Sequence, residues 1–211
     1  VKELRGGELD EDVADELGDV EEAVGLLQKN LTRASQLIQE FKTRSARQLG
    51  GTREVVNISG LVQEVVDAAA TQMEHELVFC NHLADPATTW DGLPGHLAQV
   101  LLSGLDNAAH HAYPDKPGKI EIHLSQQQLD HKPGFRLQIV DFGVGIDATQ
   151  LEEVFVPFFT TCRNRGHRGL GLAIVRTITQ DSLGGTVSVH AALNQGTMLL
   201  LNVPAQAPQL A

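Results

Sequence analysis

An acidic residue closes an apolar strand in the second half of the sequence, and a glycine pair follows it. The apolar run Leu137–Val140 predicts a short buried strand, and Asp141 comes directly after it. A buried carboxylate is costly unless a donor binds it, and an amino group on a ligand would be such a donor. Gly143 and Gly145 then allow the backbone to turn sharply or to approach a ligand closely. This combination indicates a ligand site at the end of a core strand.

A second glycine pair, Gly169 and Gly171, leads into the apolar run Leu172–Val175, which predicts a helix. The free amides and the dipole of a helix N-terminus attract phosphate, so this junction predicts a phosphate-binding loop. The preceding residues 162–168 are rich in Arg, Asn and Gly, and they are a candidate for a mobile lid. One glycine pair alone more often makes only a turn. Two pairs in this order, with an acid before them and an apolar helix after them, favour a ligand site.

Several other classes of protein are disfavoured by motif and by composition. Asp141-Phe142-Gly143 spells the metal-binding triplet of protein kinases, but no His-Arg-Asp catalytic loop precedes it, and neither a P-loop nor a dinucleotide-binding pattern occurs. The net charge of −11 argues against a nucleic-acid-binding surface. Cys80 and Cys162 are the only cysteines, which is consistent with a reducing cytosol. No apolar run approaches the length of a membrane span.

The first fifty residues predict a long helix. Between residues 9 and 48, apolar residues recur at alternating spacings of three and four, namely Leu17, Val20, Val24, Leu27, Leu31, Ala34, Ile38 and Phe41. Leu26 and Leu37 broaden this stripe, which favours a helix bundle. We expect a second copy of the chain to cover the stripe, with packing onto its own domain as the alternative. Gly50-Gly51 sets the boundary between this segment, residues 1–50, and a second domain, residues 51–211.

The second domain alternates between strand and helix patterns. Strands are predicted at Val55–Ile58, Glu76–Asn81, around Trp90, Lys119–Gln127, Phe135–Asp141, Thr186–Ala191 and Thr197–Val203, and helices at Ile58–Thr71 and Pro94–Ala112. Turns are predicted at Asp130–Gly134 and Asn194–Gly196, and the tail from Ala205 is expected to be frayed. This order predicts an α+β fold, a two-layer sandwich with helices on one face of a mixed, mostly antiparallel sheet.

The helix predicted at Pro94–Ala112 has two distinct faces. Its apolar face comprises Leu97, Leu101, Leu105, Ala108 and Ala112, and its polar face comprises Ser103, Asn107, His110 and His111. The polar face has no long, permanently charged side chain, which is typical of a site wall. Asn107 offers an amide oxygen suited to Mg²⁺ or to a phosphate-bound water, with a capping or core role as the alternative. We expect no zinc site, because His110 and His111 are adjacent rather than four residues apart.

Four motifs, taken in order, resemble those of a known family. They are Asn107, Asp141-x-Gly143-x-Gly145, Phe155-x-Pro157-Phe158-Phe159-Thr160-Thr161 and Gly169-Leu170-Gly171-Leu172. With them, residues 51–204 resemble the ATP-binding catalytic domain of bacterial two-component sensor histidine kinases, which has the Bergerat fold shared with gyrase and the heat-shock chaperones. The Pro-Phe-Phe-Thr-Thr run is typical of the sensor kinases. Residues 30–42 resemble the second helix of the dimerisation bundle of these kinases.

The resemblance implies a role for each matching residue. Asp141 would bind the adenine amino group, Asn107 would hold Mg²⁺ against the phosphates, and Thr197 would support the adenine end. Phe158 and Phe159 would anchor the lid. The complete implied nucleotide-binding set is Asn107, His110, His111, Asp141, Gly143, Gly145, Ile146, Phe158, Phe159, Thr160, Thr161, Gly169, Leu170, Gly171, Leu172 and Thr197. The implied cofactors are ATP and Mg²⁺, and the chemistry is phosphoryl transfer by positioning and charge neutralisation.

The sequence also departs from the family pattern. Ser103, Cys162 and His167 stand where an asparagine, a lysine and a glycine are common. The phospho-accepting histidine of the family lies in a His-Glu/Asp-x-x-Thr-Pro motif, and this chain has none. His75-Glu76-Leu77 begins like that motif but continues differently and precedes a predicted strand. We therefore expect the acceptor histidine upstream, in a longer parent protein, and no catalytic residue within this chain.

The function implied by the resemblance is that of a sensor histidine kinase fragment. It would bind Mg-ATP and transfer the γ-phosphoryl group to a histidine outside this chain, for relay to an aspartate of a response regulator receiver domain. We expect a cytoplasmic homodimer joined through the N-terminal helix, or the cytoplasmic part of a membrane-bound sensor. One alternative is a non-catalytic, dimeric, nucleotide-binding regulatory module. Another is an ATP-gated clamp of the gyrase type, which the Phe-Phe-Thr-Thr run disfavours.

Overall fold

A computed structural model describes residues 52–113, 116–160 and 169–208. The expectations for the N-terminal helix and for dimerisation lie outside these ranges and stay predictions. The described elements are β1 (Glu54–Asn57), α1 (Ile58–Ala70), β2 (Glu76–Asn81), β3 (Thr89–Gly92), α2 (Pro94–His111), β4 (Lys119–Leu129), β5 (Lys132–Asp141), α3 (Gly171–Thr177), β6 (Thr186–Ala191) and β7 (Thr197–Pro204). A 3₁₀ turn at Ala148–Gln150 and a π-helical turn at Ile178–Ser182 complete them. Within these ranges, no helix combines the length and apolar character needed to cross a membrane.

Five strands form the main sheet in the order β2-β4-β5-β7-β6. In this sheet β2 and β4 run parallel, and the other neighbouring pairs run antiparallel. Strands β1 and β3 form a separate antiparallel pair. The predicted mixed, mostly antiparallel sheet is confirmed, and its central strand β5 ends at Asp141.

The helices pack on one face of this sheet because alternate strand residues are apolar. In β4, Ile120, Ile122 and Leu124 are fully buried, whereas Glu121 and His123 between them face the opposite side. The predicted apolar face of α2 is also buried throughout, at Leu97, Leu101, Leu105, Ala108 and Ala112. Burying one leucine or isoleucine side chain contributes about 2 kcal/mol. This core confirms the α+β sandwich and fixes α2 over the sheet, beside the end of β5.

The turn between β4 and β5 is shorter than the predicted Asp130–Gly134. The strands stay paired up to Leu129 opposite Lys132, so that Asp130 and His131 alone form the loop. Both loop residues have positive φ, 47° and 65°, as a tight hairpin turn requires. The prediction of a longer turn was wrong because Pro133 and Gly134 are turn-favouring residues that here lie within β5.

Residues 205–208, after β7, pack against β3, and the expectation that the tail is frayed was wrong for these residues. Ala207 is 4% exposed, and its amide donates to the carbonyl oxygen of Asp91 at 2.8 Å. The Asp91 amide in turn donates to the carbonyl oxygen of Ala205 at 3.1 Å. The indole nitrogen of Trp90 donates to the Pro204 carbonyl oxygen at 3.0 Å. Strand β3 therefore holds the tail by backbone pairing that the local sequence does not predict.

Candidate functional site

A cavity lies between α2, the loop after β5 and the glycine junction that begins α3. Its lining consists of Asn107, His111, Val144, Gly145, Ile146, Gln150, Val154, Phe159, Thr160, Gly169, Gly171 and Leu172. A smaller pocket of about 10 Å³ shares Asn107 and Leu172 with it and also contains Asp141 and Thr197. Apolar walls with a few convergent polar groups are typical of small-molecule sites. The fold thus brings Asp141 and Gly145 close to Gly169 and Gly171, which come later in the chain.

Asp141 is the buried acid at the base of the site. The residue is 5% exposed, and its carboxylate Oδ1 accepts hydrogen bonds from the amides of Gly143 and Thr197, both at 3.0 Å. Burial raises the pKa of the Asp141 carboxyl group, and the Gly143 and Thr197 donors oppose that rise without cancelling it. A desolvated acceptor of this kind, in the lining of a mostly apolar pocket, is suited to an N–H donor on a ligand.

The loop after β5 needs its glycines because it packs tightly against its neighbours. A Cβ atom on Gly143 would lie closer than 3.0 Å to the carbonyl oxygen of Ala112, at the end of α2. Gly145 has a φ of +69°, and a Cβ there would meet the Ala192 carbonyl oxygen. Between them, the Val144 amide donates to the Ala112 carbonyl oxygen at 3.0 Å. The loop is therefore held between α2 and the β6–β7 turn, with Gly145 at the cavity.

Helix α2 brings Asn107 and His111 to the cavity and leaves His110 outside its lining. Asn107 and His111 are one helical turn apart and so share a face. His110 turns toward Asp106, with Nδ1 2.8 Å from its carbonyl oxygen and 3.1 Å from its carboxylate. Adjacent histidines point about 100° apart on a helix, so one site wall cannot readily use both.

The glycine junction before α3 has one crowded and one open position. Gly169 has a φ of +66°, and a Cβ there would lie closer than 3.0 Å to the carbonyl oxygen of Phe159. The Phe158 amide donates to the Gly169 carbonyl oxygen at 2.8 Å, which docks the phenylalanine pair on the junction. At Gly171, by contrast, the nearest atom to an added Cβ is the Ser103 carbonyl oxygen at 3.9 Å. Gly171 therefore presents bare backbone to the cavity.

The sequence-predicted residues are thus distributed over three places. The cavity lining contains Asn107, His111, Gly145, Ile146, Phe159, Thr160, Gly169, Gly171 and Leu172, and the adjoining pocket adds Asp141 and Thr197. Residues beside these linings but not in them are His110, Gly143, Phe158 and Leu170. Thr161 lies outside the described residues, as do Cys162 and His167 of the predicted lid.

Three residues of the cavity lining, Val144, Gln150 and Val154, were not predicted from the sequence. A local signal for one of them exists in the turn that precedes the phenylalanine run. The Asp147 carboxylate accepts from the Thr149 amide at 2.9 Å and from its hydroxyl at 2.7 Å. These bonds lower the pKa of Asp147 and start the 3₁₀ turn that carries Gln150 to the cavity. An Asp-x-Thr sequence after a glycine loop predicts such a cap.

Comparison with known proteins matches residues 92–207 to the family described as histidine kinase-, DNA gyrase B-, and HSP90-like ATPase. A putative sensor protein of Shewanella frigidimarina is 28% identical over 92% of this chain and 28% of its own length. Sporulation kinase B of Bacillus subtilis is 26% identical over 87% of this chain and 41% of its own length. Sensor histidine kinase ZraS of Escherichia coli is 29% identical over 89% of this chain and 38% of its own length. The chain therefore spans less than half the length of these curated relatives.

Solved structures of histidine kinase catalytic domains have a fold similar to that of this chain. The catalytic domain of histidine kinase ThkA superposes with a TM-score of 0.62 at 25% identity, covering 74% of this chain and 97% of that chain. The mycobacterial sensor histidine kinase MprB superposes with a TM-score of 0.57 at 25% identity, covering 74% of this chain and all of that chain, 100%.

Proposed function

Because the chain belongs to the family of histidine kinase-, DNA gyrase B- and HSP90-like ATPases, we propose that it binds Mg-ATP and transfers the γ-phosphoryl group to a histidine outside this chain. Its described domain has the Bergerat-type fold of histidine kinase catalytic domains, as the sequence motifs predicted. The observation that carries the proposal is the buried Asp141 carboxylate, which shares a pocket with Asn107 and Leu172.

The adenine end of the proposed site is built around Asp141. A six-amino group on a purine would give this carboxylate a further donor, beside the Gly143 and Thr197 amides, in an otherwise apolar pocket. A hydrogen bond to a charged acceptor contributes about 1.5–3 kcal/mol, and burial in low dielectric favours the upper part of that range. Ile146 and Leu172 supply apolar walls for a planar base, and Gly145 lets the backbone approach it.

The phosphate end of the proposed site lies between α2 and the start of α3. Asn107 places an amide oxygen there, and Mg²⁺ takes such hard oxygen ligands together with phosphate oxygens and water. Gly171 leaves room for a phosphate against bare backbone amides at the beginning of α3. Mg²⁺ would supply charge neutralisation between the phosphate groups, and Thr160 and His111 offer further polar groups in the lining. In this arrangement the protein positions the nucleotide, and the acceptor histidine supplies the nucleophile.

The remaining parts of the proposal concern the parent protein. The acceptor histidine lies upstream of this chain, and the phosphoryl group passes from it to an aspartate of a response regulator receiver domain. The segment of residues 1–50, which we predict to be helical, would join two copies of the chain, and the second domain, residues 51–211, would bind the nucleotide. The site works in the cytoplasm, where ATP is available. The curated relatives support this proposal, because sporulation kinase B and sensor histidine kinase ZraS align with most of this chain.

The experiment that tests the proposal is phosphoryl transfer from γ-labelled ATP to a separate helix bundle that carries a His-Glu-x-x-Thr-Pro motif. We expect an acid-labile, base-stable label on the bundle that requires both Mg²⁺ and this chain. The Asp141→Asn variant is the control, since it should fold and fail to label. Tight ATP binding without any label on the bundle would favour the regulatory module. ATP hydrolysis without phosphohistidine would favour the gyrase-type clamp.

A further inference from the structure

Tyr113, the only tyrosine of the chain, links parts of the site that are distant in sequence. It follows the last turn of α2, and its hydroxyl group donates to the carbonyl oxygen of Lys119 at the start of β4. The same oxygen accepts a hydrogen bond from the amide of Phe142 at 2.9 Å. Phe142 is the residue directly after Asp141. One phenol group therefore joins the end of α2, the start of β4 and the loop after β5.

The loop after β5 has a second attachment to the same end of α2. The Val144 amide donates to the Ala112 carbonyl oxygen at 3.0 Å, two residues beyond the bond from Phe142. The Phe142 side chain is 56% exposed, so packing does not fix this residue. Its position depends on its backbone contacts, and the hydroxyl of Tyr113 provides the bond to its amide.

The Tyr113 ring is itself held in place. The imidazole ring of His75 lies against it, with the ring centroids 5.4 Å apart and the planes inclined by 44°. Gly118 permits this placement, since a Cβ there would lie closer than 3.0 Å to the ring. Burial raises the pKa of the phenol, the Asp141 charge raises it further, and the Phe142 amide lowers it in part. The hydroxyl therefore keeps its proton at neutral pH and can donate to one strand while it accepts from the loop.

We propose that Tyr113 is a positioning residue for nucleobase recognition, which holds the Asp141 carboxylate in the direction that selects a six-amino purine over a six-oxo purine. This inference rests on the proposed function, because it assigns the determinant of base selectivity in the same site. The carboxylate is oriented by the Gly143 and Thr197 amides, and the Phe142 peptide connects it to the rest of the loop. Without the phenol oxygen, the Phe142 amide loses its hydrogen bond, and the carboxylate direction loses part of its support from the loop side.

The test compares Tyr113→Phe with the unaltered chain by calorimetric titration. The ligands are a non-hydrolysable ATP analogue and its inosine counterpart, each with Mg²⁺. We expect the unaltered chain to prefer the adenine analogue. In Tyr113→Phe that preference should fall by about fivefold to tenfold, the value of one lost hydrogen bond, mostly through weaker adenine binding. A residue that only stabilised the domain would change the melting temperature and leave the preference intact.

Asn57→Ala is the matched control. It removes two hydrogen bonds of Asn57 at the start of α1, from the Gly60 amide and to the Pro86 carbonyl oxygen, both at 2.7 Å. This variant should lower the melting temperature, since an N-cap is lost, without altering the base preference. An unchanged preference in Tyr113→Phe would overturn the inference and leave the proposed function standing. No binding of either analogue to the unaltered chain would overturn both.

A second measurement needs no variant and so does not depend on how well Tyr113→Phe folds. With ¹³C at Cζ of its single tyrosine, the unaltered chain gives one resonance that reports the hydrogen bonding of the phenol. We expect the adenine analogue to shift this resonance more than the inosine analogue does, because only the adenine amino group engages Asp141. An equal shift with both analogues at saturation, or no shift with either, would contradict the positioning role.

Discussion

Replacing Asp141 by asparagine tests the site with the least disturbance of the fold. The side chain keeps its size, and an asparagine Oδ1 can still accept from the Gly143 and Thr197 amides that now bind the carboxylate at 3.0 Å. The second oxygen becomes an NH₂ group, so a donor replaces an acceptor at the proposed adenine contact. The substitution therefore reverses the hydrogen-bonding character of one atom in a pocket that otherwise keeps its shape.

The magnitude follows from the bond that is lost. A hydrogen bond from a ligand amino group to a carboxylate contributes about 1.5–3 kcal/mol, which is roughly a 10- to 150-fold change in affinity. In the variant, two NH₂ groups face each other, so the fall in ATP affinity should reach at least the upper part of this range. Inosine triphosphate carries an oxygen where adenine carries the amino group, and the asparagine can donate to it. We therefore expect the base preference to reverse as ATP binding is lost.

Unlike the ATP affinity, the free energy of unfolding should not fall in Asp141→Asn. Because burial raises the pKa of Asp141, the folded protein holds this proton at pH values where the unfolded chain has already released it. Between the ordinary and the raised pKa the folded state binds more protons, so the free energy of unfolding falls as pH rises through the folded pKa. Asparagine has no proton to release, so the variant does not undergo this fall in the free energy of unfolding as pH rises. The variant should therefore be at least as stable as the unaltered chain at neutral pH, with a flatter dependence on pH.

Two assays on the same samples check this prediction. Calorimetry with non-hydrolysable ATP and inosine analogues measures the base preference, and fluorescence of Trp90, the only tryptophan and fully buried, follows unfolding. An ATP affinity that survives Asp141→Asn in a folded protein would refute the placement of the adenine. So would a loss of both ligands together with a lower unfolding midpoint, because it would show that the carboxylate serves only the fold.

Three further predictions concern the phosphate end, the glycine junction and the tail. Asn107→Ala should abolish most of the gain in ATP affinity that Mg²⁺ provides. ATP titrations with Mg²⁺ and with a chelator measure this gain, and a gain that persists in the variant would contradict the role of Asn107. Gly169→Ala should lower the free energy of unfolding by about 1–3 kcal/mol, because φ is +66° and the added Cβ has no room. Gly171→Ala should leave the free energy of unfolding unchanged and weaken ATP binding. An equal loss of stability in Gly169→Ala and Gly171→Ala would contradict the open position at Gly171. Truncation after Ala205 should cost about 1–2 kcal/mol in urea unfolding, because the buried Ala207 and its hydrogen bond to β3 are lost, and an unchanged midpoint would refute that packing.

The regular elements were the most predictable part of the fold. Strands β2 and β6 have the predicted limits, Glu76–Asn81 and Thr186–Ala191; polar residues flank the apolar run of β2, and Gly184-Gly185 precedes the alternating run of β6. Helix α2 begins at the predicted Pro94, since proline suits the first helical turn. Asp141, Gly145, Gly169 and Gly171, which the sequence marks as a candidate ligand site, also meet at the cavity and its adjoining pocket.

Contacts between distant residues could not be read from the sequence. Nothing near Tyr113 indicates that its hydroxyl binds Phe142, which is 29 residues away. The pairing of Asp91 with Gln206 in the tail joins residues still farther apart in the sequence, and the local composition of that tail favoured fraying. The hairpin after β4 was misplaced for a different reason, because local turn signals at Pro133 and Gly134 were overruled by sheet pairing. His110 and His111 could not be separated, since the exact rotation of α2 depends on its packing against the sheet.

The most direct test of the account is a calorimetric titration of this chain with a non-hydrolysable ATP analogue and Mg²⁺. We expect saturable binding of one nucleotide per domain, which ATP displaces and which Asp141→Asn abolishes. A titration without binding heat at several temperatures, up to millimolar analogue and with the domain folded, would contradict the claim that this cavity is a nucleotide site.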